Sequence, residues 1–497
     1  MTNLKTTSQL LIALLSGTLL TLAFAPWEYY PLGILSPALL LLTLQNATPK
    51  RAFTLGLLFG LGLFTTGVSW IFISIHTYGG TAAWLAAVFT LLFATTLALF
   101  PAVQCGLLNR FYPKNTHFKY LIAFPASWVL IEWVRSWFLT GFPWLYLGYT
   151  QFTSLLHGYA PIFSVYGLSF FTAFTASALL ALITLKQHRA TIIATLFVIW
   201  IIGGLLTLIQ WTRPIGTPIS VGIVQGNIAQ EIKWDPKQFE QTLETYATLT
   251  TPLFREQRLI IWPEAAIPLP DSNIPGFLSQ LNTRALQHHA TLISGIIEQD
   301  VGGNYYNALE SFGTEHGHYE KRHLVPFGEY VPLGPLLRGL IAFFDLPMSD
   351  LHPGPSLQNA LHVGFTTIAP YICYEIAYPE LVRGDFPQAN FILTVSDDSW
   401  FGRSIAQPQH LQIAQMRSLE TGRSQIFSTN NGITALIDAR GRITQRIPSF
   451  KTGVLTGDLQ PMMGSTPWIM IGQWPLLGLL FVLFLMGSPV IRWRVRR

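Results

Sequence analysis

Apolar residues run almost unbroken through the first 212 positions, in seven stretches near 8–25, 32–47, 52–74, 82–107, 119–139, 160–185 and 190–210. Each approaches the length of about 20 residues that a helix needs to cross a hydrocarbon layer of roughly 30 Å. From Pro218 the pattern changes. Short β-rich runs at 220–225, 258–263, 291–297, 305–312, 366–372, 391–395, 425–428 and 434–438 alternate with polar helical stretches at 239–253, 274–290 and 407–421. An eighth apolar stretch, 467–489, follows. The pattern predicts a multi-pass α-helical membrane domain of about eight spans plus a layered α/β domain. The divisions expected are 1–212 with seven spans, 213–464 outside the bilayer, and 465–497 with the eighth span and a basic tail.

Composition agrees. Half of the 497 residues are hydrophobic and only 11% are charged, less than half the roughly 25% of an ordinary soluble protein. Residues 1–212 hold 9 Lys and Arg against 2 Asp and Glu, residues 213–464 hold 17 against 23, and residues 465–497 hold 4 against none. The net charge of +5 therefore comes from residues flanking membrane spans, not from a nucleic-acid-binding face. Lys5, Lys50, Arg51, Arg110, Lys114, Lys119, Lys186, Arg189 and the Arg492–Arg497 tail all fall on one side of the spans, while the alternate loops carry no Lys or Arg. That side is the cytoplasm. Both termini then lie inside, and 213–464 lies beyond the bilayer, which in a bacterial inner membrane is the periplasm. Residues 1–25 also read as a cleavable signal peptide ending at Ala23-Phe24-Ala25, although six further spans make an uncleaved helix the simpler account.

Within the membrane region, Glu132 and Arg135 lie three apart and share a helix face, which suits a structural pair or a substrate contact. The uncharged loop from Gly141 to Tyr159 is aromatic; it reads as an interfacial belt or as a lipid-facing wall.

Three strand ends of the α/β region carry candidate chemistry. Ile260-Ile261-Trp262-Pro263-Glu264 ends on an acid, Glu320-Lys321 through Phe327-Gly328-Glu329 supplies a lysine and a second acid, and Tyr371-Ile372-Cys373-Tyr374-Glu375 places a cysteine at a strand-to-helix turn. A helix N-terminus there is expected to lower the thiol pKa and favour attack as thiolate. Taken singly, Glu264 is an ordinary loop acid and Lys321 an ordinary surface cation. Cys105 lies at the cytoplasmic end of the fourth stretch, so it cannot reach Cys373 across a bilayer; a disulfide needs Cα atoms within about 7 Å. No metal-ligand spacing, P-loop or CxxC occurs, so no cofactor or metal is expected. His288, His289 and His410 read as surface or packing residues.

The ordered set Glu264, Lys321 and Cys373 resembles the nitrilase (carbon–nitrogen hydrolase) superfamily, with its Glu-Lys-Cys triad on an αββα sandwich. The surrounding spans, with Ser69-Trp70 to His76, Gly79-Gly80, Gly141-Phe142-Pro143-Trp144, Asp398-Ser399-Trp400-Phe401-Gly402 and Ser428-Thr429-Asn430-Asn431-Gly432, resemble the apolipoprotein N-acyltransferase family. Asp397-Asp398-Ser399-Trp400 departs from the Asn-Asp-Ala-Trp expected there. The resemblance implies ping-pong transfer of a fatty acyl chain. The donor is a membrane phospholipid of the phosphatidylethanolamine type, and the carrier is a thioester on Cys373. The acceptor is the N-terminal amine of a diacylated apolipoprotein, in the last step of lipoprotein maturation. It implies Glu264 as base, Lys321 as oxyanion stabiliser, Glu329 as its support, and supporting positions at Trp234, Tyr374 and Glu375. Nothing demands more than a monomer. The rival readings are a membrane-anchored amidase and a transporter with an accessory domain. The apolar stretch 333–349 is expected to form a mobile arm over a membrane-facing cleft, or else a core helix.

Overall fold

A computed structural model describes residues 6–185, 187–332 and 350–486, so the stretch 333–349 lies outside the described residues. The chain forms two compact units. One takes Met1–Phe72, Trp84–Gln210 and Met470–Arg497; the other takes Ile73–Ala83 and Trp211–Ile469.

The first unit is helical. Each of the eight apolar stretches contains a helix. Among the described residues, three helices are long and apolar enough to cross a membrane: Ala83–Phe111, Leu155–Thr184 and Arg189–Leu206. A fourth candidate is the pair Pro49–Gly67 and Ile71–Tyr78, bent by 58°. Thr6–Thr21, Tyr30–Thr43 and Trp474–Met486 are apolar but shorter. The stretch 119–139 opens as a π-turn, Lys119–Ala123, and continues as Phe124–Arg135.

Small residues let the first and third stretches touch. A Cβ on Gly17 would collide with the Phe59 carbonyl oxygen, and one on Gly62 with the Leu14 carbonyl oxygen. The contact is backbone on backbone, as close-packed membrane helices require. Gly62→Val should therefore lower stability by about 1–3 kcal/mol, read as an earlier thermal transition of the detergent-solubilised protein. An unchanged transition would show that the two helices part easily.

The aromatic loop is neither an interfacial belt nor a lipid-facing wall. Trp144, Tyr146 and Tyr149 are at most 1% exposed. Glu132 Oε1 accepts from Trp128 Nε1 (2.9 Å) and from the Leu147 amide (2.7 Å). Arg135 donates to the carbonyls of Phe142 (3.1 Å) and Trp144 (2.5 Å), and its guanidinium lies 4.9 Å from the Tyr146 ring centre. Both charged side chains thus hold this loop's backbone, which accounts for two ionisable groups in an apolar unit.

The second unit is a two-sheet sandwich. One sheet runs Gly453–Leu459, Ile219–Gln225, Leu259–Ile261, Thr291–Gln299, Tyr305–Gly313, His318–Glu320, with Ile267–Pro270 pairing onto Thr291–Gln299. The other runs Ile443–Ile447, Thr434–Ile437, Gln425–Thr429, Phe391–Ser396, Thr366–Ile372, Leu361–Val363. Val221, Ile223, Leu259 and Ile261 of the first sheet share one buried cluster with Ile368, Ile372, Leu393 and Val395 of the second. On its other face the first sheet packs Ile260, Trp262 and Leu292 against Tyr246 of Phe239–Thr250 and Leu281 and Ala285 of Pro275–Gln287. The central strands, such as Phe391–Ser396 and Gln425–Thr429, are buried along their whole length because both of their faces are covered. The helix Ala406–Thr421 is buried all round, including Gln407, His410, Arg417 and Glu420.

Ile73–Ala83 comes from the apolar half of the chain yet packs into this second unit. Ser74 Oγ donates to the Trp400 carbonyl (2.8 Å), and the Tyr78 and Trp400 rings meet edge to face at 6.1 Å. Gly402 turns there with φ +53°, and a Cβ on it would press on Ile73 at 2.9 Å.

Candidate active site

Parallel pairing sends neighbouring strands in the same direction, so their C-terminal ends gather on one rim. Leu259–Ile261 pairs parallel with Ile219–Gln225 and Thr291–Gln299; Phe391–Ser396 pairs parallel with Thr366–Ile372 and Gln425–Thr429. Glu264, Cys373, Asp397 and Asn430 follow the ends of these strands, and Lys321 follows His318–Glu320.

Lys321 is 1% exposed. Its ammonium donates to Glu329 Oε1 (2.8 Å) and Glu264 Oε1 (3.1 Å). Asn307, on the neighbouring strand, donates to both carboxylates as well, at 2.7 Å to Glu264 and 3.1 Å to Glu329. The second Glu264 oxygen accepts from the Asp397 amide (2.7 Å), and the second Glu329 oxygen from the Val325 amide (2.8 Å). Burial works against the Lys321 charge, but Glu264 and Glu329 more than offset it and raise its pKa. The lysine is a fixed cation, and two of its three N–H groups are engaged.

Cys373 is partly exposed and takes φ +55°, a left-handed conformation unusual outside glycine. It opens a single short turn, Cys373–Ala377, after Thr366–Ile372. The expected lowering of the thiol pKa does not occur. Burial, then the Glu264 carboxylate, push the Cys373 thiol well above its ordinary range, with Lys321 opposing. A five-residue turn offers little dipole, and the nearby amide of Ile372 is turned to Glu375. At rest the Cys373 sulfur is therefore a thiol, and any attack by it needs a base to take its proton.

Glu375, fully buried, joins the lysine and cysteine segments. It accepts from the amides of Arg322 (2.7 Å) and His323 (3.1 Å), just after Lys321, and from Ile372 (2.8 Å), just before Cys373. Tyr319 OH donates to it at 2.8 Å. Tyr374 belongs to an aromatic group with His323 and Tyr378. Trp234 caps Gln230–Lys233 with its ring 5.7 Å from the Lys233 ammonium. Its indole N–H is buried without an acceptor among the described residues.

Two residues of this cluster, Asn307 and Lys233, were not singled out from sequence, and Asp397 and Asn430 stood out only as members of the quoted motifs. Lys233, 2% exposed, donates to the Glu264 carbonyl (3.1 Å) and to Asp397 Oδ2 (2.5 Å). Ser399 Oγ (2.5 Å) and Asn430 Nδ2 (3.2 Å) donate to the other Asp397 oxygen. The two departures from the expected Asn-Asp-Ala-Trp run therefore bond to one another, and Lys233 neutralises the added acid. Lys233→Met leaves that carboxylate buried and unpaired, so it should cost about 3–5 kcal/mol. Adding Asp397→Asn should recover much of the loss. Equal destabilisation of the single and double variants in thermal unfolding would contradict the pairing.

The chain matches the model of the apolipoprotein N-acyltransferase N-terminal domain over residues 16–178, and that of the carbon–nitrogen hydrolases over residues 220–467. It is 45% identical to the apolipoprotein N-acyltransferase of Pseudomonas syringae pv. tomato, covering 95% of this chain and 95% of that one. It is 44% identical to that of Azotobacter vinelandii (98% and 96% covered), and 43% identical to that of Coxiella burnetii (96% and 99%). With this similarity along nearly its whole length, the chain belongs to the apolipoprotein N-acyltransferase family and is an acyltransferase with a carbon–nitrogen hydrolase domain.

Proposed function

We propose that this enzyme moves a fatty acyl chain from a phospholipid to the N-terminal amine of a diacylglyceryl-cysteine apolipoprotein, through a thioester on Cys373. The observation that carries this reading is the buried Glu264–Lys321–Glu329 cluster within electrostatic reach of the Cys373 thiol.

Cys373 attacks the donor ester carbonyl while Glu264 takes the thiol proton. The remaining N–H of Lys321 faces the developing oxyanion. When the tetrahedral intermediate collapses, the ester C–O bond breaks, and Glu264 returns its proton to the departing lysophospholipid alcohol. The apolipoprotein amine then attacks the thioester carbonyl. Glu264 accepts the amine's proton, the C–S bond breaks, and the proton returns to sulfur. Glu329 shares the lysine with Glu264 and keeps it centred. No cofactor enters this chemistry. Because donor and acceptor are both held in lipid, proximity favours the amine over water. In this reading the donor is phosphatidylethanolamine-like, and the chain works as a monomer in the bacterial inner membrane. About eight spans, both termini in the cytoplasm and residues 213–464 in the periplasm accord with the one-sided Lys and Arg.

Mass spectrometry of the intact enzyme incubated with phospholipid alone tests the reading. A fatty-acyl adduct on the Cys373 peptide, removed by hydroxylamine and matched by released lysophospholipid, is expected. Turnover to free fatty acid with no adduct would indicate a hydrolase instead.

A further inference from the structure

His410 sits on the buried helix Ala406–Thr421 and is 0% exposed. It is no mere packing residue. Its Nδ1 lies 3.0 Å from Asp398 Oδ1 and its Nε2 lies 3.2 Å from the Cys373 carbonyl oxygen. Its ring is otherwise flanked by the Phe401 and Phe427 rings. Both oxygens accept, and a neutral imidazole has one hydrogen to give. The same Asp398 oxygen also accepts from Ser396 Oγ (2.7 Å). Asp398 thus reaches the Cys373 carbonyl through His410.

We propose that His410 carries hydrogens on both ring nitrogens and, paired with Asp398, is a positioning residue that holds the Cys373 backbone in its left-handed conformation. This rests on Cys373 being the nucleophile. An exposed ion pair would contribute little, but this pair is dry, and its proton-rich state is fixed by two acceptors at set distances. Holding the Cys373 backbone also fixes where sulfur stands, and a displacement of about 1 Å costs on the order of 100-fold in rate.

Two measurements on the full-length enzyme test it. In the first, protein with 15N-labelled histidine is compared with the same labelled Asp398→Asn variant to assign the His410 signals. Two protonated ring nitrogens are expected; an unprotonated ring nitrogen on His410 overturns the proposal. The second follows acyl-enzyme formation in phosphatidylethanolamine vesicles. His410→Gln has one amide nitrogen, which cannot stand in both ring-nitrogen positions, so it breaks the link between Asp398 and the Cys373 carbonyl. It should lower kcat about 100-fold with KM little changed. Asp398→Asn should do the same, and the double variant should lose no more than either single change. Wild-type kcat in His410→Gln, or losses that multiply, would overturn the proposal. Absence of any acyl adduct on Cys373 in the wild type would refute the nucleophile instead, and leave the nitrogen measurement standing.

Discussion

Cys373→Ala is expected to lower acyl transfer by at least about 10⁴-fold, in line with loss of the nucleophile from a covalent catalyst. Alanine cannot form the thioester, and no neighbouring group can replace it. Lys321 already faces two carboxylates, and Ser396 is bound to Asp398. The effect should be confined to chemistry. The Glu264–Lys321–Glu329 cluster keeps its own partners, Asn307 and the Asp397 and Val325 amides, without the sulfur. Loss of a small, partly exposed group should cost at most about 1 kcal/mol of stability. Thermal unfolding next to a transfer assay with labelled phospholipid makes the comparison. A variant that folds and still transfers would end the thioester mechanism.

Glu375→Gln is the second large effect. The change keeps size and shape but swaps one acceptor oxygen for an N–H₂ group. Four donors converge on this carboxylate, from Arg322, His323, Ile372 and Tyr319. If the amide nitrogen turns toward Arg322 and His323, it opposes two backbone N–H groups. If it turns the other way, it opposes the Ile372 N–H and the Tyr319 hydroxyl, which also accepts from Arg322 Nε (3.0 Å). Either orientation strands buried donors, at about 1–3 kcal/mol each. We expect a loss of about 2–4 kcal/mol together with slower acyl-enzyme formation, because the same side chain fixes the segments of both Lys321 and Cys373. Alkylation of Cys373 by iodoacetamide should change in parallel. A variant with the parent's unfolding temperature and rate would show that the four contacts are dispensable.

Much of this architecture is legible in the residues. Apolar runs mark every helix of the first unit, and the buried strands Thr366–Ile372 and Phe391–Ser396 stand out as continuous hydrophobic segments. Strand Ile443–Ile447 escapes because three of its five residues face solvent, so no apolar signal accompanies it. His318–Glu320 escapes because three residues are too few for a periodicity, although it delivers Lys321. Cys373 and Glu264 are readable because each follows a recognisable apolar strand, whereas Lys321 stands out only through its order between them and its spacing to Glu329. Asn307 and Lys233 are not readable, since their roles come from neighbours 43 and 164 residues away. The thiol's raised pKa is likewise a property of what folding buries around the sulfur. Local sequence suggests only the turn.

The bond from Ser74 to Trp400 and the ring contact of Tyr78 with the same tryptophan bear on how the gene can be cut and recombined. A fragment starting at Trp211 would arrive without a stitch that its own fold uses, so excised soluble pieces are poor stand-ins for the intact enzyme. Chimaeras between relatives should exchange residues 73–83 together with 398–402, as one inherited cassette.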